Sequence, residues 1–284
     1  MELTLSTHLL VYHTMNARAL QALQHCGCGG AEVWLAEPHV PWRNESRLRE
    51  FGQALADSGL CTHTVHLPFY PSVPDLLERG ETWSVIAPDP AARHVAIQGM
   101  AEGLHAAAAL GAEGAVLHLG WPKDVWTSET QALADSAVAE LLPIAKKCGV
   151  KLLLENIISN GTRAGALVQL LNRVDPHEEA GICLDLGHAH VLGGVLAELE
   201  DALPRLDHLH VHDNDGRKDA HLAPGQGSIP WAEVLKKLEE GNYQGSGALE
   251  IRDFSKGKQD LEEVMKEQMQ HVDSFRDDFF PQDA

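Results

Sequence analysis

Six short apolar runs in this chain end on, or carry, side chains that bind divalent cations. They are Thr64-Val65-His66, Val116-Leu117-His118, Leu153-Leu154-Glu155-Asn156, Cys183-Leu184-Asp185, Leu209-His210-Val211 and Ala248-Leu249-Glu250. Imidazole nitrogens and carboxylate oxygens are the usual ligands of zinc, manganese and magnesium. The chain has 17 histidines, so one histidine at a strand end says little. The carboxylates say more. Glu155, Asp185 and Glu250 each follow apolar core residues, where an ionised carboxylate is costly to bury unless it is paired or bound to a cation. A metal centre resolves that cost; a structural ion-pair network is the competing account.

Two local patterns add candidate ligands. Asp185-Leu186-Gly187-His188 places an imidazole three residues beyond an aspartate, and Asp219-Ala220-His221 sits just before Pro224-Gly225-Gln226-Gly227. Asp-x-His in a Gly/Pro-rich loop can chelate one ion from a short turn. His13, His25, His39, His94, His105, His177 and His271 follow no such pattern and read as ordinary core or surface histidines.

These groups are far apart in sequence, so the fold must gather them. Candidate strands are Leu3–Thr7, Ala31–Leu35, Cys61–His66, Gly114–Leu119, Val150–Glu155, Gly181–Asp185, Leu206–Val211 and Ala248–Ile251. Stretches of helical period separate them: Ile97, Met100, Leu104 and Ala108 share one face, as do Trp231, Val234, Leu235 and Leu238. Strand–helix alternation gives a parallel sheet, and eight repeats predict closure into a single-domain (β/α)8 barrel over residues 1–284. An open doubly wound sheet is the alternative, but no Gly-x-Gly-x-x-Gly follows the first strand. In a barrel the C-terminal strand ends converge on one face, and the long loops after strands border it. Residues 67–90 carry five prolines, and residues 212–229 are rich in Asp, Gly and His. A C-terminal helix and tail are expected over about 258–284, packed on the barrel bottom or on a partner.

The segments Leu154-Glu155-Asn156, Cys183 to His188, His210-Val211-His212-Asp213-Asn214 and Asp219 to Gly227 together resemble the xylose-isomerase-like TIM-barrel superfamily, over nearly the whole chain. That group includes sugar and sugar phosphate isomerases and epimerases, and the endonuclease IV type of apurinic/apyrimidinic endonuclease. The isomerase branch implies one divalent ion (manganese, magnesium or zinc) on Glu155, Asp185, His210 and Glu250. There Glu155 and Glu250 exchange a substrate proton across a metal-stabilised enediolate, and His188 assists as the third catalytic residue. The endonuclease branch implies up to three zinc ions, with His66, His118, His188, Asp219 and His221 as further ligands, and a phosphodiesterase reaction. A non-catalytic sugar-binding barrel is a third reading.

The remainder of the sequence favours a small sugar or polyol substrate over nucleic acid. The net charge is −19, which repels phosphate backbones unless a basic patch offsets it. Arg43, Arg47 and Arg49 are the cations near the second strand, and Arg217 and Lys218 are candidates for a substrate phosphate. Leu67-Pro68-Phe69-Tyr70-Pro71 is apolar, suited to covering a small ligand. No run approaches the length of a membrane span, and Met1-Glu2-Leu3-Thr4 lacks the features of a signal peptide, so a cytoplasmic protein is expected. The five cysteines are odd in number and irregular in spacing, which predicts small buried thiols rather than disulfides or a zinc knuckle at Cys26-Gly27-Cys28. A homo-oligomer is compatible with such a barrel.

Overall fold

Eight parallel strands pair in sequence order and close on themselves. The computed structural model describes residues 2–279. The strands are β1 (Glu2–Ser6), β2 (Gly30–Trp34), β3 (Cys61–His66), β4 (Gly114–Leu117), β5 (Lys151–Glu155), β6 (Ala180–Asp185), β7 (Leu206–Val211) and β8 (Ser246–Leu249). The seam joins β1 to β8, with Thr4 opposite Ala248 and Leu5 opposite Leu249. The structure is thus the expected (β/α)8 barrel. β3 and β7 match their expected bounds; β4 and β8 end two residues earlier than expected. His118 and Glu250 therefore stand just past their strands, where the ladder has stopped and the chain turns onto the face formed by the C-terminal strand ends.

The strands read as apolar runs because helices cover one side and the barrel interior the other. In β5, Leu152, Leu153, Leu154 and Glu155 are all buried. The covering helices are α1 (Ala17–Gln24), α2 (Glu45–Asp57), α3 (Pro90–Ala109), α4 (Ser128–Cys148), α5 (Ala164–Val174), α6 (Leu186–Val191), α7 (Val195–Ala202), α8 (Trp231–Glu240) and α9 (Leu261–Phe279). The expected apolar faces are the packed ones: Ile97, Met100 and Leu104 in α3, and Trp231, Val234 and Leu238 in α8, are buried. Local chemistry sets the helix ends. Asp89 caps α3 ahead of Pro90, Thr127 and Thr130 form a reciprocal cap on α4, and Gly149 ends α4 at φ 70°.

α9 packs along α1 on the outside of the barrel, where Phe275 meets the Trp231 ring at 4.9 Å. That places the C-terminal helix in the helical ring rather than under the barrel; residues 280–284 of the expected tail lie outside the described residues. Across the seam, Arg18 on α1 donates to Asp260 and Glu262 at the start of α9. All five cysteines are free; Cys26, Cys28 and Cys183 are buried as expected, but Cys61 is exposed and Cys148 half-buried. The expectation of uniformly buried thiols is corrected by strand position: Cys61 opens β3 at the barrel's lower rim, and Cys148 closes α4 on the outer surface. Among the described residues no helix is long and apolar enough to cross a membrane.

Candidate metal centre

The C-terminal strand ends bring all nine candidate ligands together. Glu155, Asp185, His210 and Glu250 have ligand atoms mutually within 4.8 Å, as do His66, His118 and Glu155, and likewise His188, His212, Asp219 and His221. Glu155 belongs to two of these clusters. Its Oε2 lies 2.7 Å from His118 Nε2 and 3.2 Å from His66 Nε2, and its Oε1 lies 3.3 Å from His210 Nδ1.

Four of the imidazoles are aimed by their other nitrogen. A carbonyl oxygen only accepts, so the ring nitrogen facing it must carry the proton. His66 Nδ1 donates to the Leu67 carbonyl (2.9 Å), His188 Nδ1 to the Asn156 carbonyl (2.8 Å) and His221 Nδ1 to the Glu250 carbonyl (2.7 Å). All three therefore turn Nε2 toward a carboxylate: His66 toward Glu155, and His188 and His221 toward Asp219 at 3.4 and 2.9 Å. This is the arrangement by which metal-binding histidines are oriented. His210 is held the other way round, with Nε2 donating to Glu32 Oε2 at 3.2 Å.

That orientation supplies the test of fit. His210 Nδ1 is fully buried and, with Nε2 turned to Glu32, has no hydrogen-bond partner of its own. It faces Glu250 Oε2 at 3.1 Å, Glu155 Oε1 at 3.3 Å and Asp185 Oδ2 at 3.7 Å. Three carboxylates gathered around one ring nitrogen require positive charge among them, which a proton on the imidazole supplies in part and a divalent cation would supply in full. The donor set, one nitrogen and three carboxylates, suits a divalent ion. The electrostatics lean the same way. Burial alone would raise the carboxyl pKa values, but the surrounding imidazoles outweigh it, holding Glu155 and Asp185 well below the usual range and Glu250 at about 2. Burial likewise opposes charge on His210 and His221, but the nearby anionic groups raise both, His221 to about 8.

Local folding explains the precision. Asp185 ends β6 and caps α6, its Oδ1 accepting from His188 N–H at 2.6 Å, which leaves Oδ2 for the site. Asn156 clamps the Asp185 backbone, donating to its carbonyl (2.9 Å) and accepting from its N–H (2.6 Å). A Cβ at Gly187 would lie 1.9 Å from the His212 ring, so only glycine fits there. Asp213 organises the loop after β7 by accepting from Gly225 N–H, Ile229 N–H and Trp231 Nε1–H at 2.9–3.1 Å.

Above the ligands lies a pocket of about 250 Å3, lined by Trp34, Phe69, Tyr70, Leu76, Trp121 and Ile157 among others. The loop after β3 forms one wall, with Phe69 stacked on His118 at 4.4 Å. Glu155, His188, Asp219, His221 and Glu250 reach the pocket; His210 and Asp185 lie beneath it. Of the basic residues considered from sequence, none lines it. Arg43 instead donates to the Pro71 carbonyl (3.0 Å) and stacks over Trp42, bracing the β3 loop. Arg49 pairs with Glu45. Arg217 and Lys218 are exposed outside the pocket. Arg252 is the lining cation.

Three residues of the site were not singled out from sequence. His212 donates to Asp185 Oδ2 at 2.9 Å and stacks on His221 at 4.1 Å. His8 follows β1 and lines the pocket wall beside Trp34. Glu32, fully buried in β2, accepts from Thr64 and from His210. The signal for His212 was present: His208, His210 and His212 recur with the period of two that puts side chains on one strand face.

A family model of the xylose isomerase-like TIM barrel matches residues 20–275. The chain belongs to that family. An uncharacterized protein of Methanocaldococcus jannaschii is 31% identical over 188 residues, which are 61% of this chain and 64% of that protein. A fructoselysine 3-epimerase of Shigella flexneri is 26% identical over 254 residues, 82% of this chain and 84% of that enzyme. A probable endonuclease 4 of Oleidesulfovibrio alaskensis is 36% identical over 162 residues, 50% of this chain and 54% of that protein. The matched region thus spans less than two thirds of the first of these family relatives and about half of the last.

Proposed function

We propose that this protein is a divalent-metal-dependent epimerase or isomerase of a small polyhydroxylated carbonyl compound. One observation carries the reading: Glu155 and Glu250 approach His210 Nδ1 at 3.3 and 3.1 Å on the floor of a small, aromatic-walled pocket. The relation to a fructoselysine 3-epimerase over most of both chains supports it. Glu155, Asp185, His210 and Glu250 would hold the ion, which supplies Lewis acidity to the substrate carbonyl and stabilises the charge that develops on proton loss. Glu155 and Glu250 are both held ionised, so each can accept a proton; one removes it from the carbon beside the carbonyl and the other returns it. His188, fixed by Asn156, hydrogen-bonds a substrate hydroxyl. Phe69, Trp34 and Trp121 cover the C–H faces of the sugar and exclude water.

The test is solvent exchange. Protein loaded with manganese and incubated with ketoses in deuterated water is expected to wash one deuterium into the inverted or reduced carbon, read by proton NMR. Glu155→Gln and Glu250→Gln are each expected to abolish this while the fold survives. Full exchange in either variant refutes the roles assigned to them.

A second reading rests on the two further clusters, His66/His118/Glu155 and His188/His212/Asp219/His221, which would hold additional ions for phosphoester hydrolysis. Elemental analysis of protein purified without chelators separates the two: about one ion per chain supports the epimerase, and about three zinc ions support the hydrolase. The latter result would direct assays to abasic DNA and small phosphodiesters.

A further inference from the structure

Cys26-Gly27-Cys28 lies at the opposite end of the barrel from the candidate metal centre, in the turn leading from α1 into β2. Gly27 takes φ 72°, which folds the turn back and sets the Cys26 and Cys28 side chains beside one another. A donor arrives from the far end of the chain: Arg276 on α9 places Nη2 3.0 Å from Cys28 Sγ, and its Nη1 reaches the Cys26 carbonyl at 3.5 Å. A guanidinium directed at a sulfur stabilises the thiolate, the reactive form of cysteine. Cys26 lines a groove of about 290 Å3 with Ala22, His25, Glu262, Met265 and Met269, so a small molecule approaches the pair from the Cys26 side, with Cys28 buried behind it.

We propose that Cys26 and Cys28 form an oxidisable dithiol site, which hydrogen peroxide converts to a disulfide between them. The Cys28 thiolate attacks one peroxide oxygen and the O–O bond breaks; the displaced hydroxide takes a proton and leaves as water. Cys28 now carries a sulfenic acid. The Cys26 sulfur attacks it, the S–O bond breaks, and the departing hydroxide leaves with the Cys26 proton as a second water. Two thiols and one peroxide thus give one disulfide and two waters. The geometry favours this over capture of a soft cation, because Arg276 already occupies the Cys28 sulfur with positive charge. The sulfur's position matches a Cys28 thiol lowered to about 7 by the neighbouring Cys26 and by Arg276, against burial. Cys61 and Cys148 lack such a partner: the former donates to the Gly29 carbonyl and the latter sits beside His105. They serve as internal controls.

Cleavage after Arg18 and Arg43 releases residues 19–43, which contain Cys26 and Cys28 and no other cysteine. The full chain is treated with substoichiometric peroxide at pH 7, quenched with iodoacetamide, digested with trypsin and followed by mass. The 19–43 peptide is expected to lose two hydrogens about tenfold faster than Cys61 or Cys148 is modified, and Arg276→Met to slow that loss about tenfold, as expected for a thiol returned toward its ordinary pKa. Arg276→Lys, which keeps the charge, is expected to retain most of the rate, and Cys26→Ser to stop at a Cys28 sulfenic acid trapped by dimedone. Oxidation of the peptide no faster than Cys61, or an unchanged rate in Arg276→Met, overturns the proposal. If Arg276→Met does not fold, the comparison with Cys61 and the Cys26→Ser outcome still decide it.

Discussion

Glu32→Gln isolates how the second strand sets the candidate metal centre. In the structure Glu32 Oε2 accepts from Thr64 Oγ1 at 2.9 Å and from His210 Nε2 at 3.2 Å, with His208 Nε2 at 3.4 Å. The charge on Glu32 keeps the proton of His210 on Nε2 and makes Nδ1 a better donor to a cation. Glutamine keeps the shape but removes the charge, and it brings an amide N–H₂ into a layer already supplied with donors. Neutral acceptors bind such an N–H roughly half as strongly as charged ones. Loss of a carboxylate behind a metal-binding histidine weakens metal affinity by about 10- to 100-fold, or about 1.4–2.8 kcal/mol. Glu32 lies beneath the ligands and does not line the pocket, so it does not touch substrate. Calorimetric titration of manganese into chelator-treated protein, wild type against Glu32→Gln, measures the effect; melting of the metal-free forms checks that the fold survives. Equal affinity in a folded variant would refute the argument and leave Glu32 as a structural buried charge.

Three other outcomes follow from the same structure. His118→Ala is expected to lower activity far less than Glu155→Gln if a single ion is used, and comparably if the His66/His118 cluster holds a second; steady-state rates of the two variants distinguish these. Burial, the largest cause, depresses the His39 pKa to about 4 from its ordinary 6.5. The unfolded chain therefore binds the extra proton between these values, so stability is full above pH 6.5 and falls as pH drops toward 4, by up to about 3 kcal/mol. The urea-derived stability difference between wild type and His39→Gln should change by that much across the window, and a flat difference would count against it. Asp213→Ala orphans the Gly225, Ile229 and Trp231 donors and is expected to cost about 3–5 kcal/mol, read as a lower melting temperature and increased proteolysis within residues 212–229.

The barrel was legible because eight apolar runs recur between helical patterns, and the residues that converge at the candidate metal centre because carboxylates rarely follow such runs without cause. Strand ends were less legible. β4 stops at Leu117, because hydrogen bonding to its neighbours stops there while the apolar run continues to Leu119. Glu32 was hidden for a different reason. Its partners are Thr64, His208 and His210, so its environment exists only once β2, β3 and β7 meet inside the barrel. The basic residues misled in the opposite direction: Arg43 is close to the site in sequence terms but spends its guanidinium on Trp42 and the Pro71 carbonyl. The pairing of Cys28 with Arg276 spans 248 positions and could not be read from the local Cys-Gly-Cys spacing.

The three histidines that lean on the carbonyls of Leu67, Asn156 and Glu250 take their bearings from main chain, which every residue type supplies. Their aim therefore tolerates side-chain replacement around them and responds instead to the path of the backbone just after each strand. Loops beyond those first residues can lengthen, shorten or change composition while the ligand geometry stands. A barrel built this way separates two inheritances: the candidate metal centre travels with the strand ends, and the shape of the pocket above it travels with the loops.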